Sequence, residues 1–391
     1  MNTMPPLPKV ALLIETSNAY ARGLLSGVQA YMRENKSWSI YLAEQGRGDQ
    51  PPPWLKKWKG DGIIARIENQ SIAKAVAALN VPTVDVSAGR FLPSLPWCEI
   101  DEDGIARMAL EHFAERGFKH FAYCGDQRFV WSRLRGEAFN RAVESAGHIV
   151  HHYQPAPKAE LDEDAEMDAI GDWLAALPRP VAVFTCYDIR GRLILDACRR
   201  HSIHVPDEVA VLGVDNDELL CTLAFPPLSS IIPNGLRAGY EAASLLARLM
   251  DGEETGPVSI LVPPTGLITR QSTDVLAVED KNVARAVRYI REHACEGLSV
   301  DAVVRDSGIS RRLLESRFKT HLGRSPHEEI TRIQIIRVKE LLAHTDLQLC
   351  EIADRTGFRY VEYLSAVFKN KVGLPPGQFR NEHRPRKKSR Q

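Results

Sequence analysis

The sequence predicts an α/β body over residues 9–272, built on parallel sheets, followed by an all-α domain over 281–380 with two helix–turn–helix units. Three observations carry this. Short, wholly apolar runs alternate with helix-patterned stretches through the first 280 residues. The last part repeats one short helix–glycine–helix grammar twice. The net charge, zero over the chain, divides into an acidic body and a basic end.

The chain has 391 residues, 50 Lys+Arg against 50 Asp+Glu, and is 44% hydrophobic. That composition excludes collagen-like, coiled-coil and broadly disordered classes. There is no run of about 18 apolar residues, and the start MNTMPPLPKV lacks a charged-then-apolar leader. Seven cysteines are scattered without a C-x-x-C pair, which reads as reduced thiols rather than a disulfide frame or zinc site. A cytoplasmic protein with no membrane partner, metal or cofactor is expected. Residues 281–391 carry 23 Lys+Arg and 13 Asp+Glu, and 1–280 carry 27 and 37. A basic block on an acidic body points to a polyanion-binding domain. Without the tail 381–391 the block still carries 18 against 12.

In order, an apolar strand over 9–14 precedes a helix over 20–33, and a strand over 61–65 an Ala-rich helix over 71–79. A strand over 81–86 precedes a helix over 104–116 stopped by Gly117; a strand over 121–124 precedes a helix over 134–145. The strand 181–184 leads to a helix over 190–200, and the strand 209–214 to a loop. Ligands of such sheets sit at the carboxyl ends of the strands. Those ends read Glu15-Thr16-Ser17-Asn18, Asp85-Val86-Ser87, Gly125-Asp126, Cys186-Tyr187-Asp188 and Asp215-Asn216-Asp217. No G-x-G-x-x-G or Walker lysine accompanies them, which argues against nucleotides. Carboxylates and amides with a few Arg and an aromatic suit an uncharged polyol. The competing reading of each Asp is a helix N-cap.

The segment from Trp131 to Phe139, WSRLRGEAF, resembles the sugar-contacting helix of the LacI/GalR effector domains, as do VAVFTCYDIRGRLILDACRRHSIHVPDEVAVLGVDNDELL and PPLSSIIPNGLRAGYEAASLLARLMDG. The resemblance spans about 9–270 and implies a two-lobed, periplasmic-binding-protein-like (type I) domain that closes on a sugar. It places Arg135, Asp188 and Asp215 as sugar hydrogen-bonding residues, with Trp131 stacking on the ring. Asn18, Arg133, Arg190 and Asn216 complete the expected set. The LacI-type N-terminal helix–turn–helix is absent, so DNA binding is expected elsewhere.

After the linker 273–280, residues 282–294 place Val283, Ala286, Val287 and Ile290 on one helical face. Ser299 caps a short helix ending at Gly308, Ser310 caps a second over 311–320, and Pro326 starts a long helix to about 343. The pattern recurs with a helix over 349–353, a stop at Thr356-Gly357 and a helix over 361–370. Each second helix ends in F-K-x-x-x-G. The stretch EIADRTGFRYVEYLSAVFKNKVGLPPGQFR resembles the AraC/XylS DNA-binding domain, matching about 283–380. That resemblance implies two recognition helices in successive major grooves. The base-contacting residues would be Arg311, Arg312, Glu315, Lys319, Arg359, Tyr360, Glu362 and Tyr363, over a core of Phe318, Ile352, Ala353, Phe358 and Phe368. Gln334, Val338 and Leu364 depart from the family pattern at packing positions, and 381–391 reads as a disordered basic tail.

The pairing of these two domains is similar to that of bacterial xylose operon regulators. The resemblance implies a transcription activator that binds D-xylose, works as a homodimer on direct repeats in double-stranded DNA and contacts RNA polymerase. The same architecture responding to another sugar is the nearest alternative. A sugar-processing enzyme using strand-end carboxylates is a weaker reading, because no nucleophile lies beside a base and His148, His151, His152, His201 and His204 fall in polar loops. A transport sugar-binding protein conflicts with the missing export signal.

Overall fold

The computed structural model describes residues 7–154, 163–253, 258–275, 280–345 and 347–383. The chain forms two compact units, Met1–Val275 and Leu276–Gln391.

The first unit begins with β1 (Lys9–Leu13), α1 (Ala19–Glu34), β2 (Ser39–Leu42), β3 (Gly62–Ala65), α2 (Gln70–Ala77), β4 (Thr83–Asp85), β5 (Trp97–Ile100) and α3 (Glu102–Ala114). It continues with β6 (His120–Cys124), α4 (Val130–Ser145), β7 (Val150–His152), α5 (Glu163–Ala176), β8 (Val181–Thr185), α6 (Asp188–Arg200), β9 (Val209–Val214) and α7 (Glu218–Leu223). It ends with β10 (Ser229–Ile232), α8 (Gly235–Met250), β11 (Ser259–Val262) and β12 (Gly266–Ile268). Two six-stranded sheets result, in the orders β11-β5-β4-β3-β1-β2 and β12-β10-β9-β8-β6-β7. All neighbours are parallel except β10 and β12.

The strands legible as unbroken apolar runs are the central ones. All residues of β3, β8 and β9 are buried, because helices cover both faces. The strands without such a run are the edges β2, β7, β11 and β12 and the four-residue strands β5 and β10. His151 and His152, expected in a polar loop, form part of β7, paired with Ala122 and Tyr123. The expected loop after β9 holds the short helix α7, capped by Asp217.

Each sheet with its helices is a lobe, and the chain passes between lobes at 100–102, 232–235 and 262–266. The first crossing is capped by Asp101, which accepts from Gly104 N–H at 2.9 Å. The second is capped by Asn234 in the left-handed region, φ 64°. In the first lobe α1 and α8 touch backbone to backbone. A Cβ at Gly27 would lie 2.1 Å from the Leu236 carbonyl oxygen, and one at Gly239 2.0 Å from that of Leu24.

The second unit is all helical: α9 (Lys281–His293), α10 (Val300–Ser307), α11 (Arg311–Leu322), α12 (Pro326–His344), α13 (Leu349–Arg355), α14 (Val361–Val372) and α15 (Pro376–His383). Ser299, Ser310 and Ser325 cap α10, α11 and α12, the last through a capping box with Glu328. Gly308 turns the chain between α10 and α11 at φ 71°. Two cores form. One holds Val283, Ile290, Val303, Leu314, Phe318 and Ile330; the other Val338, Ile352, Phe358, Leu364, Phe368 and Phe379. The helix α12 serves both, its first half in one core and its second half in the other. Gln334 is buried on it, donating to the Ala294 carbonyl at 3.0 Å, while Val338 and Leu364 are wholly buried.

Of the expected linker 273–280, Thr273 is buried in the first unit, bonded to His112 and Ser229, and 276–279 lie outside the described residues. Residues 381–383 of the expected tail belong to α15, and 384–391 lie outside the described residues.

Candidate functional site

The carboxyl ends of β1, β3, β6, β8 and β9 bring a chain of charged and aromatic groups into the cleft between the two lobes. From the first lobe, Glu15 is buried against the Arg66 guanidinium, which also pairs with Glu68. Asn18 caps α1 through Ala21 N–H at 2.9 Å and donates its amide to Glu15 at 2.9 Å. Arg66 lies over the Tyr20 ring, 5.4 Å to its centroid. From the loop after β2, Arg47 approaches Glu15 at 3.9 Å. Its guanidinium crosses to the other lobe, 4.7 Å from the Trp131 ring centroid and 4.6 Å from that of Tyr187.

On the second lobe Trp131 stacks on Phe129 at 5.4 Å and meets Tyr187 edge-on at 5.6 Å. One helical turn on, Arg135 is buried and grips Glu102 with two hydrogen bonds of 2.6 and 2.9 Å. Its remaining terminal nitrogen donates to the Cys186 carbonyl. Asp215 holds an unusual backbone, φ 108°, and its carboxylate accepts no hydrogen bond from the described residues. Burial raises its pKa, and Arg47, Arg135 and Arg66 pull it back down.

Other expected residues are engaged inside the protein. Asp188 is raised by burial and by the charge of Asp215. One of its oxygens accepts from the Ser230 hydroxyl at 2.6 Å, the other from Asp217 N–H at 2.8 Å. Asn216 accepts from Arg270 at 2.9 Å, and Arg190 donates to Glu166 of α5 at 2.5 Å. The Arg133 side chain is 60% exposed and paired with Glu137 at 2.7 Å. Residues 131 and 135 share a helix face, and 133 lies about 200° round from both. The structure thus brings Trp131, Arg135 and Asp215 together with Arg47, Arg66, Tyr20 and Tyr187. Arg66 and Tyr187 sit one or two residues past apolar strands and were findable there; Arg47 lies in a loop with no periodic signal.

Several buried polar atoms here have no hydrogen-bond partner among the described residues: Tyr20 Oη, Arg47 Nη1, Arg66 Nε and Trp131 Nε1. Three of the four are N–H donors and the hydroxyl can donate or accept. Donors set among rings fit a small polyol, whose hydroxyls accept and whose C–H face stacks. Among the described residues no group of three or more His, Cys, Asp or Glu is placed to hold a metal. No helix among them is long and apolar enough to cross a membrane.

In the second unit α11 and α14 are related by a shift of 50 residues, buried Leu314 and Phe318 corresponding to Leu364 and Phe368. Arg311, Arg312, Glu315 and Lys319 are exposed on the first, and Arg359, Tyr360, Glu362 and Tyr363 on or beside the second. They are not equivalent. Arg311 is held by Glu315 at 3.0 Å and Asp301 at 3.1 Å, and Lys319 donates to the Gly323 carbonyl at 3.1 Å. The Arg359 guanidinium lies 5.4 Å from the Tyr360 ring centroid.

A two-lobed, periplasmic-binding-protein-like ligand domain joined to paired helix–turn–helix units defines a ligand-responsive transcription regulator. Sequence profiles agree: a periplasmic binding protein-like domain matches residues 110–273, a XylR N-terminal domain 9–94 and a helix-turn-helix domain 303–382. The chain is 34% identical over 381 residues to the xylose operon regulatory protein of Escherichia coli K12, covering 95% of this chain and 97% of that one. It is 30% identical to that of Haemophilus influenzae, covering 95% and 98%. The solved structure of the xylose-binding transcription activator XylR superposes with a TM-score of 0.80 at 33% identity, over 97% of this chain and 99% of that one. The chain belongs to the xylose operon regulatory protein family. Its relatives are regulators of transcription rather than enzymes.

Proposed function

We propose that D-xylose is the effector, held in the interlobe cleft by Arg47, Arg66, Trp131, Arg135 and Asp215, and that it favours the closed arrangement of the lobes. Asn18, Asp188, Arg190 and Asn216 then act from behind by fixing the strand-end backbone and its charge. Arg311, Arg312, Glu315, Lys319, Arg359, Tyr360, Glu362 and Tyr363 line the DNA-facing side of α11 and α14. The chain would act in the bacterial cytoplasm as a homodimeric activator on direct repeats, contacting RNA polymerase and switching on xylose-utilisation genes. The observation that carries the sugar reading is the cleft itself: buried donors without partners among the described residues, beside stacked rings and the Asp215 carboxylate in the field of Arg47, Arg135 and Arg66. A sugar acts on DNA binding only through its different affinity for the open and closed states.

The test is calorimetry of the purified chain with D-xylose, with D-ribose, L-arabinose and D-glucose as controls. Saturable binding of D-xylose alone is the expected result. Binding of a different sugar would keep the regulator and change its effector. No binding of any of the four would overturn the sugar reading.

A further inference from the structure

The two recognition helices present different chemistry to DNA, and from this we infer that the second unit reads thymine through its C5-methyl group, with the Tyr363 ring as the contact. The inference rests on the reading of α11 and α14 as the DNA-binding helices. In the 50-residue register, the exposed positions of α11 include Arg311, Arg312, Leu313, Glu315, Ser316, Lys319 and Thr320. Those of α14 include Glu362, Tyr363, Ala366, Lys369 and Asn370, with Val361 and Ser365 half-buried. The first set opens on two guanidinium groups. The second opens on a carboxylate and a ring, and its cations, Lys369 and Lys371, come near its end.

Tyr363 is 54% exposed and Tyr360 58%, the most open large hydrophobic side chains among the described residues of the helical domain, ahead of Leu313 at 40%. Exposed rings on a surface built to meet a polyanion need an apolar counterpart. In the major groove the apolar feature of a base edge is the thymine methyl. Tyr363 is also held in place: its ring leans on buried Phe358 at 6.0 Å between centroids. A ring on a rigid helix, fixed from behind, loses little freedom on contact. The cations of this unit stand at its margins, with Arg355 and Arg359 before α14 and Lys369 and Lys371 at its end, all exposed. That arrangement puts phosphate contacts at the edges and the methyl contact at the centre, and Asn370 suits the adenine paired with thymine.

The test starts from duplexes selected by the full-length chain out of a random-sequence DNA library. Each thymine of the selected site is then replaced singly by deoxyuridine, which removes only the methyl group. Binding is expected to weaken about fourfold at one or two thymines of a single half-site, the worth of one buried methyl. Tyr363→Ala should abolish that sensitivity, and Tyr363→Phe, which keeps the ring and loses the hydroxyl, should retain it. Uniform tolerance of deoxyuridine, or a methyl effect unchanged in Tyr363→Ala, would overturn the inference. So would its loss in Tyr363→Phe. If no sequence is enriched at all, the DNA-binding reading itself fails, a different outcome from enrichment without methyl sensitivity.

Discussion

Arg47 ties one lobe to the other through rings in the cleft, and replacing it with alanine has a calculable effect on sugar binding. Its side chain is 13% exposed, and its guanidinium sits 4.7 Å from the Trp131 centroid and 4.6 Å from that of Tyr187. A cation over a ring contributes about 0.5–1 kcal/mol when exposed and about 2 kcal/mol when desolvated. Taken between those limits at about 1.5 kcal/mol each, two such contacts, less about 1 kcal/mol for the buried Nη1 without a partner, leave about 2 kcal/mol. If the contact forms only when the lobes close, Arg47→Ala removes that much from the closed state, and the sugar must supply it. Calorimetry should then show D-xylose binding about 30-fold weaker, with an unchanged melting temperature for the unliganded chain. Small-angle scattering should show a more open molecule at equal sugar concentration. Arg47→Lys keeps the charge without the planar face and should fall between. Tighter binding in Arg47→Ala would refute the reasoning, because it would mean that the guanidinium occupies the face on which the sugar stacks.

Burial, opposed by the neighbouring Arg66, lifts the Glu99 carboxyl to about 8. The folded chain therefore holds a proton that the unfolded chain has released above about pH 4.3, so this group's contribution falls as pH rises from there to about 8. The melting temperature of Glu99→Gln relative to the parent should climb between pH 5 and pH 8, and a constant difference would exclude the linkage. Gly27→Ala should cost about 3 kcal/mol in urea unfolding, since its Cβ would lie 2.1 Å from one backbone atom of α8 and 2.6 Å from another. A tolerated alanine would refute the close approach of α1 and α8. Arg312→Ala should weaken DNA binding by about 1–3 kcal/mol in fluorescence anisotropy, and Arg311→Ala by less, because Glu315 and Asp301 already hold Arg311.

The legible strands share one physical cause. Central strands such as β8 and β9 are covered on both faces, so their sequences are apolar without interruption. The edge strand β2 is half-buried or exposed along its length and writes no such pattern, and β5 is interrupted by buried Glu99. The helix–turn–helix units were readable because their caps and left-handed glycines are local chemistry, independent of tertiary context. The site was readable by residue type and only partly by role. Trp131 and Arg135 declare a shared face through their spacing, and that same spacing turns Arg133 to a different face. Asp188 has the right type and position, but its oxygens are taken by Ser230 and the Asp217 backbone. A sequence shows an acceptor and not which donor reaches it first. Arg47 depends on where a loop of no period comes to lie, which only the packed lobes decide.

The lobes themselves show why a small sugar can govern this domain. Apart from the three chain crossings, an ion pair and the rings around one guanidinium join them across the cleft. Arg22 reaches Asp217 at 2.8 Å with half its side chain exposed, worth about 0–1 kcal/mol, and Arg47 adds about 2 kcal/mol. Together these two contacts favour the closed arrangement by about 2–3 kcal/mol. A ligand that binds only the closed form at 100 times its dissociation constant contributes about 2.7 kcal/mol, which is the same size. A broad apolar seam between the lobes would have locked the domain shut and made the sugar irrelevant. Asp217 receives Arg22 from the other lobe and donates its N–H to Asp188 within its own, so the ion pair across the cleft lands on the residue that caps α7.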